Sequence, residues 1–218
     1  QRQMCIRDRD IDSHGKVVHH NIAKSVIRSN YRMTYDEVNA IFAGDPDMAA
    51  KYSDIMPMLG EMRRLKDILK AKRQRRGAID FDLPEADIHL DGNGRAVGVS
   101  LHIRGEANMM IEEFMLAANE TVAREGVDKG LPLMYRVHEA PDPERIKELN
   151  TFLHTLGYGV GNAEKVQPAD VRKMLLKAAG SSEERVINNV TLRAMTKAKY
   201  IPDCDCLLYT SPSPRDAH

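Results

Sequence analysis

Met109-Met110-Ile111-Glu112-Glu113-Phe114-Met115-Leu116-Ala117-Ala118-Asn119-Glu120 is the stretch that decides the fold class of this chain. It contains no glycine or proline and is rich in Met, Leu, Ala and Glu, which lose little rotamer freedom in a helix. Ile111, Phe114, Met115, Ala118 and Val122 recur at helical spacing. That spacing predicts one apolar stripe, with Glu113, Glu120 and Arg124 on the opposite, wet side. Glu112 and Asn119 fit neither side. Seven residues make two turns less roughly 20°, so the pair stacks on one line at the shoulder of the stripe. A carboxylate and an amide placed there lose part of their water and need partners. A neighbouring loop would supply them, which is the commoner case, or a ligand would.

Working outward from this helix, Ala86 to Leu90 and Arg95 to Ile103 flank Asp91-Gly92-Asn93-Gly94, a hairpin turn. Ala78 to Phe81 reads as a short strand, broken at Leu83-Pro84. Before it, Ile55, Met58, Leu59, Met62, Leu65, Ile68 and Leu69 hold the three-four spacing of a core-facing helix. That helix ends in Lys70-Ala71-Lys72-Arg73-Gln74-Arg75-Arg76-Gly77, a cationic run with a capping glycine, which usually means solvated surface. Thr34-Tyr35-Asp36-Glu37 is a capping box opening a short helix that ends near Gly44, and a loop on Asp45-Pro46-Asp47 leads onward. Asp12-Ser13-His14-Gly15 is a turn, and Lys16 to Met33 alternates as one long strand or a bent pair.

On the other side, Leu131 to Val137 reads as a strand. Asp142-Pro143 starts a helix that stops at Leu156-Gly157. Pro168 starts another, ending at Ala179-Gly180. Ser181-Ser182-Glu183-Glu184 is a second capping box, opening a last helix to about Tyr200. There is no internal repeat and no linker that would split domains. The succession predicts an α+β fold: mixed sheets with a hairpin, flanked by helices, in one domain over residues 10–204. Gln1 to Arg9 and residues 205–218 lack periodicity and caps and are expected to be disordered.

The totals narrow the function classes. The 218 residues carry 32 Lys+Arg and 32 Asp+Glu, a formal net charge of +0, so any basic surface is local. No apolar run approaches a membrane span of ~18 residues and no segment reads as a signal peptide. Cys5, Cys204 and Cys206 lie near the ends and provide no disulfide framework, so a cytoplasmic setting is expected. Cys204-Asp205-Cys206 has the wrong spacing for a zinc knuckle and no second pair. No P-loop, nucleophile elbow or spaced set of metal ligands occurs.

Four blocks carry a more specific message: Arg76-Gly77-Ala78-Ile79-Asp80-Phe81-Asp82, then Met110 to Asn119, then Tyr135-Arg136-Val137-His138-Glu139-Ala140-Pro141, then Leu192-Arg193-Ala194-Met195 with Lys197-Ala198-Lys199-Tyr200. In this order and spacing they resemble the catalytic RNB domain of the ribonuclease II / ribonuclease R family, nearer its ribonuclease R branch. The resemblance covers about Ile11 to Cys204. It implies a processive, hydrolytic 3′-to-5′ exoribonuclease that threads single-stranded RNA, works as a monomer, and uses Mg2+ held by an aspartate cluster to activate water. Glu112 matches a glutamate near the catalytic centre. Phe81 matches an aromatic that stacks on the terminal bases, and Tyr35 a tyrosine lining the RNA path. Asn119 belongs to the same motif as Glu112. Arg76, Arg193 and Lys197, with Arg73 and Arg75, become candidate phosphate contacts.

The departures matter equally. The family's aspartate ligands for Mg2+ lie upstream of anything in Gln1 to Asp12, so this piece is expected to hold no metal and to be inactive alone. The family's Ser-Pro-Ile-Arg-Arg motif should follow Tyr200-Ile201-Pro202. Thr210-Ser211-Pro212-Ser213-Pro214-Arg215 only mimics it, since both ends of the chain read as translated adapter sequence around an internal fragment. The second reading is a catalytically silent relative that keeps the RNA channel without the metal site. A structural domain unrelated to RNA is the third, and the four blocks together weigh against it.

Overall fold

The computed structural model describes residues 2–79, 86–101 and 104–202, with the backbone alone for residues 2–7. The chain divides into two compact units. Unit 1 gathers residues 1–73, 104–137 and 199–218, and unit 2 gathers 74–103 and 138–198. No Pro/Gly-rich linker marks the division, because it falls inside a helix and beside short strands, where composition does not change.

Unit 1 begins with an antiparallel hairpin of β1 (Arg2–Ile11) and β2 (Val17–Ile27), running from Arg2 opposite Ile27 to Asp10 opposite His19. Asp12 closes the turn, its Oδ1 accepting from the amides of His14 at 2.9 Å and Lys16 at 2.8 Å. The disorder expected for Gln1 to Arg9 is corrected here for Arg2 onward. A ladder needs only backbone N–H and C=O groups, and a fixed turn extends it without side-chain alternation. Next come α1 (Tyr35–Ala43), α2 (Pro46–Lys51), a single 3₁₀ turn and α3 (Met56–Arg75). The capping box on α1 forms as predicted: Thr34 Oγ1 accepts from Glu37 N and Glu37 Oε2 accepts from Thr34 N. With α4 (Glu106–Asp128) these helices enclose a core of Val38, Ile41, Tyr52, Leu59, Ala107 and Met110. The unit closes with β5 (Tyr135–Val137) paired to β6 (Lys199–Ile201).

Unit 2 holds α5 (Pro143–Thr155), α6 (Pro168–Ala178) and α7 (Glu184–Ala194) around Ile146, Leu149, Leu153, Val171, Met174 and Ile187. It also holds the hairpin of β3 (Ala86–Leu90) and β4 (Ala96–Leu101), turned at Asp91 as expected. The last helix differs from expectation, ending at Ala194 rather than Tyr200. Its predicted capping box is absent: Glu184 Oε2 instead accepts from Gly180 N at 2.7 Å.

The α+β class holds. The mixed sheets do not appear among the described residues, whose strands form three antiparallel pairs. Ala78 and Ile79 are not in a strand, and the rest of that predicted strand lies outside the described residues. No described helix is long and apolar enough to cross a membrane.

Candidate nucleic-acid interface

Helix α4 is the helix the sequence announces, but rotated. Its buried residues are Ala107, Met110, Glu113, Leu116, Thr121 and Gly126. Met115, placed on the apolar stripe by spacing, is 43% exposed, whereas Glu113, placed on the wet side, is 4% exposed. The physical reason is Arg73, the buried cation near the end of α3. Its Nε and Nη2 donate to Glu113 Oε1 at 3.0 and 2.7 Å. A forked guanidinium–carboxylate pair satisfies two groups that otherwise could not be buried. Arg73 is therefore a structural residue, not the phosphate contact expected of it.

The start of α4 is built by its neighbours. Gly105 has no side chain to cap the helix, so Asn39 of α1 takes the role, its Oδ1 accepting from Ala107 N at 2.8 Å. A β-carbon on Gly105 would collide with that Asn39 amide and push it out of its capping position. Glu106 receives Lys66 Nζ at 2.6 Å and Arg63 Nε at 2.9 Å. The bond from Lys66 holds the Glu106 carboxyl below the ordinary glutamate range against partial burial, and Arg63 adds to the effect. Burial pushes the Lys66 amine down, but its bonds to Glu106 and Asp67 outweigh this and leave it above the ordinary lysine value.

Glu112 sits one turn along, half-buried and paired with Arg104. Asn119, expected to be half-desolvated on the same line, is exposed. Tyr35, at the first position of α1, is 48% exposed, one turn before the Asn39 that ties α1 to α4. Glu112, Asn119 and Tyr35 thus all belong to unit 1.

Arg76, Arg193 and Lys197 belong to unit 2, and all three are exposed; so is Arg75. Lys197 lines a cavity of about 480 Å³ with Asp142, Arg145 and Thr196. Phe81 lies outside the described residues. Among the described residues no group of three His, Cys, Asp or Glu side chains is placed to hold a metal ion, so none of them fits the Mg2+ that the family resemblance implies.

The model of the RNB domain family matches residues 2–216. The chain belongs to the RNB domain family. It is 40% identical over 191 residues to a ribonuclease R of Aquifex aeolicus, covering 88% of this chain and 27% of that protein. With a ribonuclease R of Thermotoga maritima it shares 38% over 192 residues, again 88% of this chain and 27% of the relative. The chain thus spans about a quarter of the length of these relatives. Its fold matches Mycoplasma genitalium RNase R solved with ribose-methylated single-stranded RNA at a TM-score of 0.80, 23% identity and coverage of 93% and 32%. The match to the same enzyme solved with double-stranded RNA has a TM-score of 0.81, also at 23% identity, and covers 93% and 36%.

Within this RNB chain, sequence reasoning missed three residues. Arg104 meets Glu112 from outside the helix, so no helical spacing flags it. Asn39 acts on a helix 68 residues away, through its amide oxygen. Arg145 reads as an ordinary first-turn residue of α5, and only the fold places it beside Lys197.

Proposed function

We propose that this chain is an internal part of the RNB domain of a cytoplasmic, ribonuclease R-like 3′-to-5′ exoribonuclease. The substrate is single-stranded RNA and the products are nucleoside monophosphates. The supporting observation is the 40% identity to a ribonuclease R over nearly the whole chain. In this reading Glu112, oriented by Arg104, faces the last nucleotides and favours the charge that develops there as the phosphodiester breaks. Tyr35 and Phe81 supply aromatic faces for stripped bases, a sequence-tolerant hold. Asn119 offers an exposed amide to the same strand. Arg76, Arg193 and Lys197 meet phosphates, positioning the strand without reading its bases. Magnesium, which would activate the attacking water, belongs in this proposal to aspartates outside the chain, so the 218 residues alone should not cleave RNA.

The test is a chimera in which this chain replaces the matching region of the Aquifex aeolicus ribonuclease R. It should release mononucleotides from a 5′-labelled single strand in Mg2+ and stop in EDTA. Glu112→Ala should lower single-turnover cleavage by about a hundredfold while leaving RNA affinity in EDTA nearly intact. A chimera that folds and binds RNA yet leaves it whole would favour the silent relative. Magnesium-dependent degradation by the 218-residue chain alone would overturn the assignment of the metal site to other chain.

A further inference from the structure

From the cavity of unit 2 we infer that Arg145 and Lys197 form a clamp for one internal phosphodiester of an RNA strand; this rests on the exoribonuclease reading above, which already sets Lys197 against phosphate, and adds Arg145 as its partner. Arg145 lies in the first turn of α5 and Lys197 between α7 and β6, yet both line the same cavity of about 480 Å³. Both are exposed, and neither has an ion-pair partner among the described residues.

The other two walls are already committed. Asp142 Oδ1 accepts from Glu144 N at 2.9 Å, capping α5. The Thr196 hydroxyl donates to the carbonyl of Ala140 at 3.1 Å, and His138 Nδ1 lies 3.2 Å from the Thr196 carbonyl. These bonds hold the segment carrying Lys197 against the one leading into α5. The cavity therefore presents two unspent cations on a fixed backbone, with the positive end of α5 adding to the field.

The charge selects the ligand. Two cations and one carboxylate leave a net positive charge, which favours an anionic phosphate oxygen. Both side chains are donors only, and among the described residues no aromatic ring lines the cavity, so the contact is to phosphate and not to bases. The contact is sequence-independent.

The experiment measures binding of the 218-residue chain to a fluorescein-labelled oligoadenylate without terminal phosphate, in EDTA, between 50 and 200 mM salt. Each phosphate contact to a single strand contributes about 0.7 to the slope of log affinity against log salt. The double variant Arg145→Gln/Lys197→Gln should therefore bind with a slope shallower by about 0.7, one phosphate's worth, and show no preference among base sequences. Lys173→Gln, an exposed charge on α6, controls for loss of charge and should leave the slope within about 0.3 of the parent. Millimolar inorganic phosphate should not displace the oligonucleotide from the parent chain.

If the double variant keeps the parent's slope while the parent binds RNA, the clamp is wrong and the exoribonuclease reading stands. A Lys173→Gln effect as large as the double variant's also overturns the clamp, since the loss is then general charge. If the parent chain does not bind RNA at all, the reading of this piece as RNA-binding falls, and the clamp with it. Displacement of RNA from the parent but not from the double variant by polyglutamate would assign the cavity to an acidic peptide instead.

Discussion

Glu112 and Glu113 are neighbours in sequence with opposite surroundings. Glu113 and Arg73 are buried together, with side chains 5% and 7% exposed. Removing the carboxylate strands a guanidinium, so Glu113→Ala should cost about 3–5 kcal/mol of stability by urea denaturation. Glu112 and Arg104 are 21% and 25% exposed, so Glu112→Ala should cost about 1 kcal/mol or less. Equal losses would mean that the faces of α4 are misassigned. Glu37 gives a pH prediction. Its bonds from Lys51, Tyr52 and the Thr34 amide lower its pKa from 4.5 to about 2. A depressed carboxyl contributes stability above its unfolded value and loses it as pH falls through the folded one. Helix α1 should therefore fray between about pH 4.5 and 2, followed by amide exchange. Glu106 and Glu125 shift in the same direction, so the decisive comparison is with Glu37→Gln, which should flatten part of that acid loss. The candidate site was half legible for a related reason. The polar line through Glu112 showed in the spacing, but hydrophobic periodicity weighs residues singly. It cannot see Arg73 arriving from 40 residues away to make a glutamate buriable.

At the scale of elements, the local signals were read well and the long-range ones were not. The box at Thr34, the turn at Asp91 and the Asp-Pro start of α5 are made by residues within four positions of each other, and all three form. The end of α7 is followed closely by Thr196, bonded to Ala140 56 positions away, and it differs from expectation. Strand β1 is the local exception, since its partners in β2 are close by but its ladder is carried by backbone groups that side-chain alternation does not report. The β3–β4 hairpin makes the clearest prediction at this scale. Ile88 sits directly opposite Val99, alternation puts Leu90 and Leu101 on the same face, and Val97 lies at the register shift beside Leu90. All five are 61–70% exposed. A cluster of exposed aliphatic side chains on a two-stranded hairpin is an adhesive surface. The chain should bind ANS strongly and self-associate at micromolar concentration. Ile88→Thr with Val99→Thr should cut ANS fluorescence several-fold while leaving helical circular dichroism unchanged. ANS signal that ignores both substitutions would place the exposed apolar surface elsewhere.

Across the whole molecule, the two units are assembled differently, and this has a consequence for folding. Unit 1 is stitched from three separated stretches, 1–73, 104–137 and 199–218, so its core needs distant pieces of chain to meet. In unit 2, by contrast, the buried core residues among those described lie within 143–194, including Ile146, Leu149 and Leu153 on α5, Val171 and Met174 on α6 and Ile187 on α7. Contacts this local cost little loop-closure entropy. Residues 138–198 excised from the chain should therefore fold as a three-helix unit, with a helical spectrum and a sigmoidal thermal melt. A piece of roughly 60 residues buries only a modest core, so the margin should be a few kcal/mol. That margin makes the test sharp. Leu153 is 0% exposed, and Leu153→Ala should remove about 2–5 kcal/mol, enough to unfold the excised piece. Arg145→Gln, exposed beside the cavity, should leave its melt unchanged. If the excised parent shows no cooperative melt, the core around Ile146 and Leu153 does not suffice, and unit 2 needs chain from outside 138–198 to hold its fold.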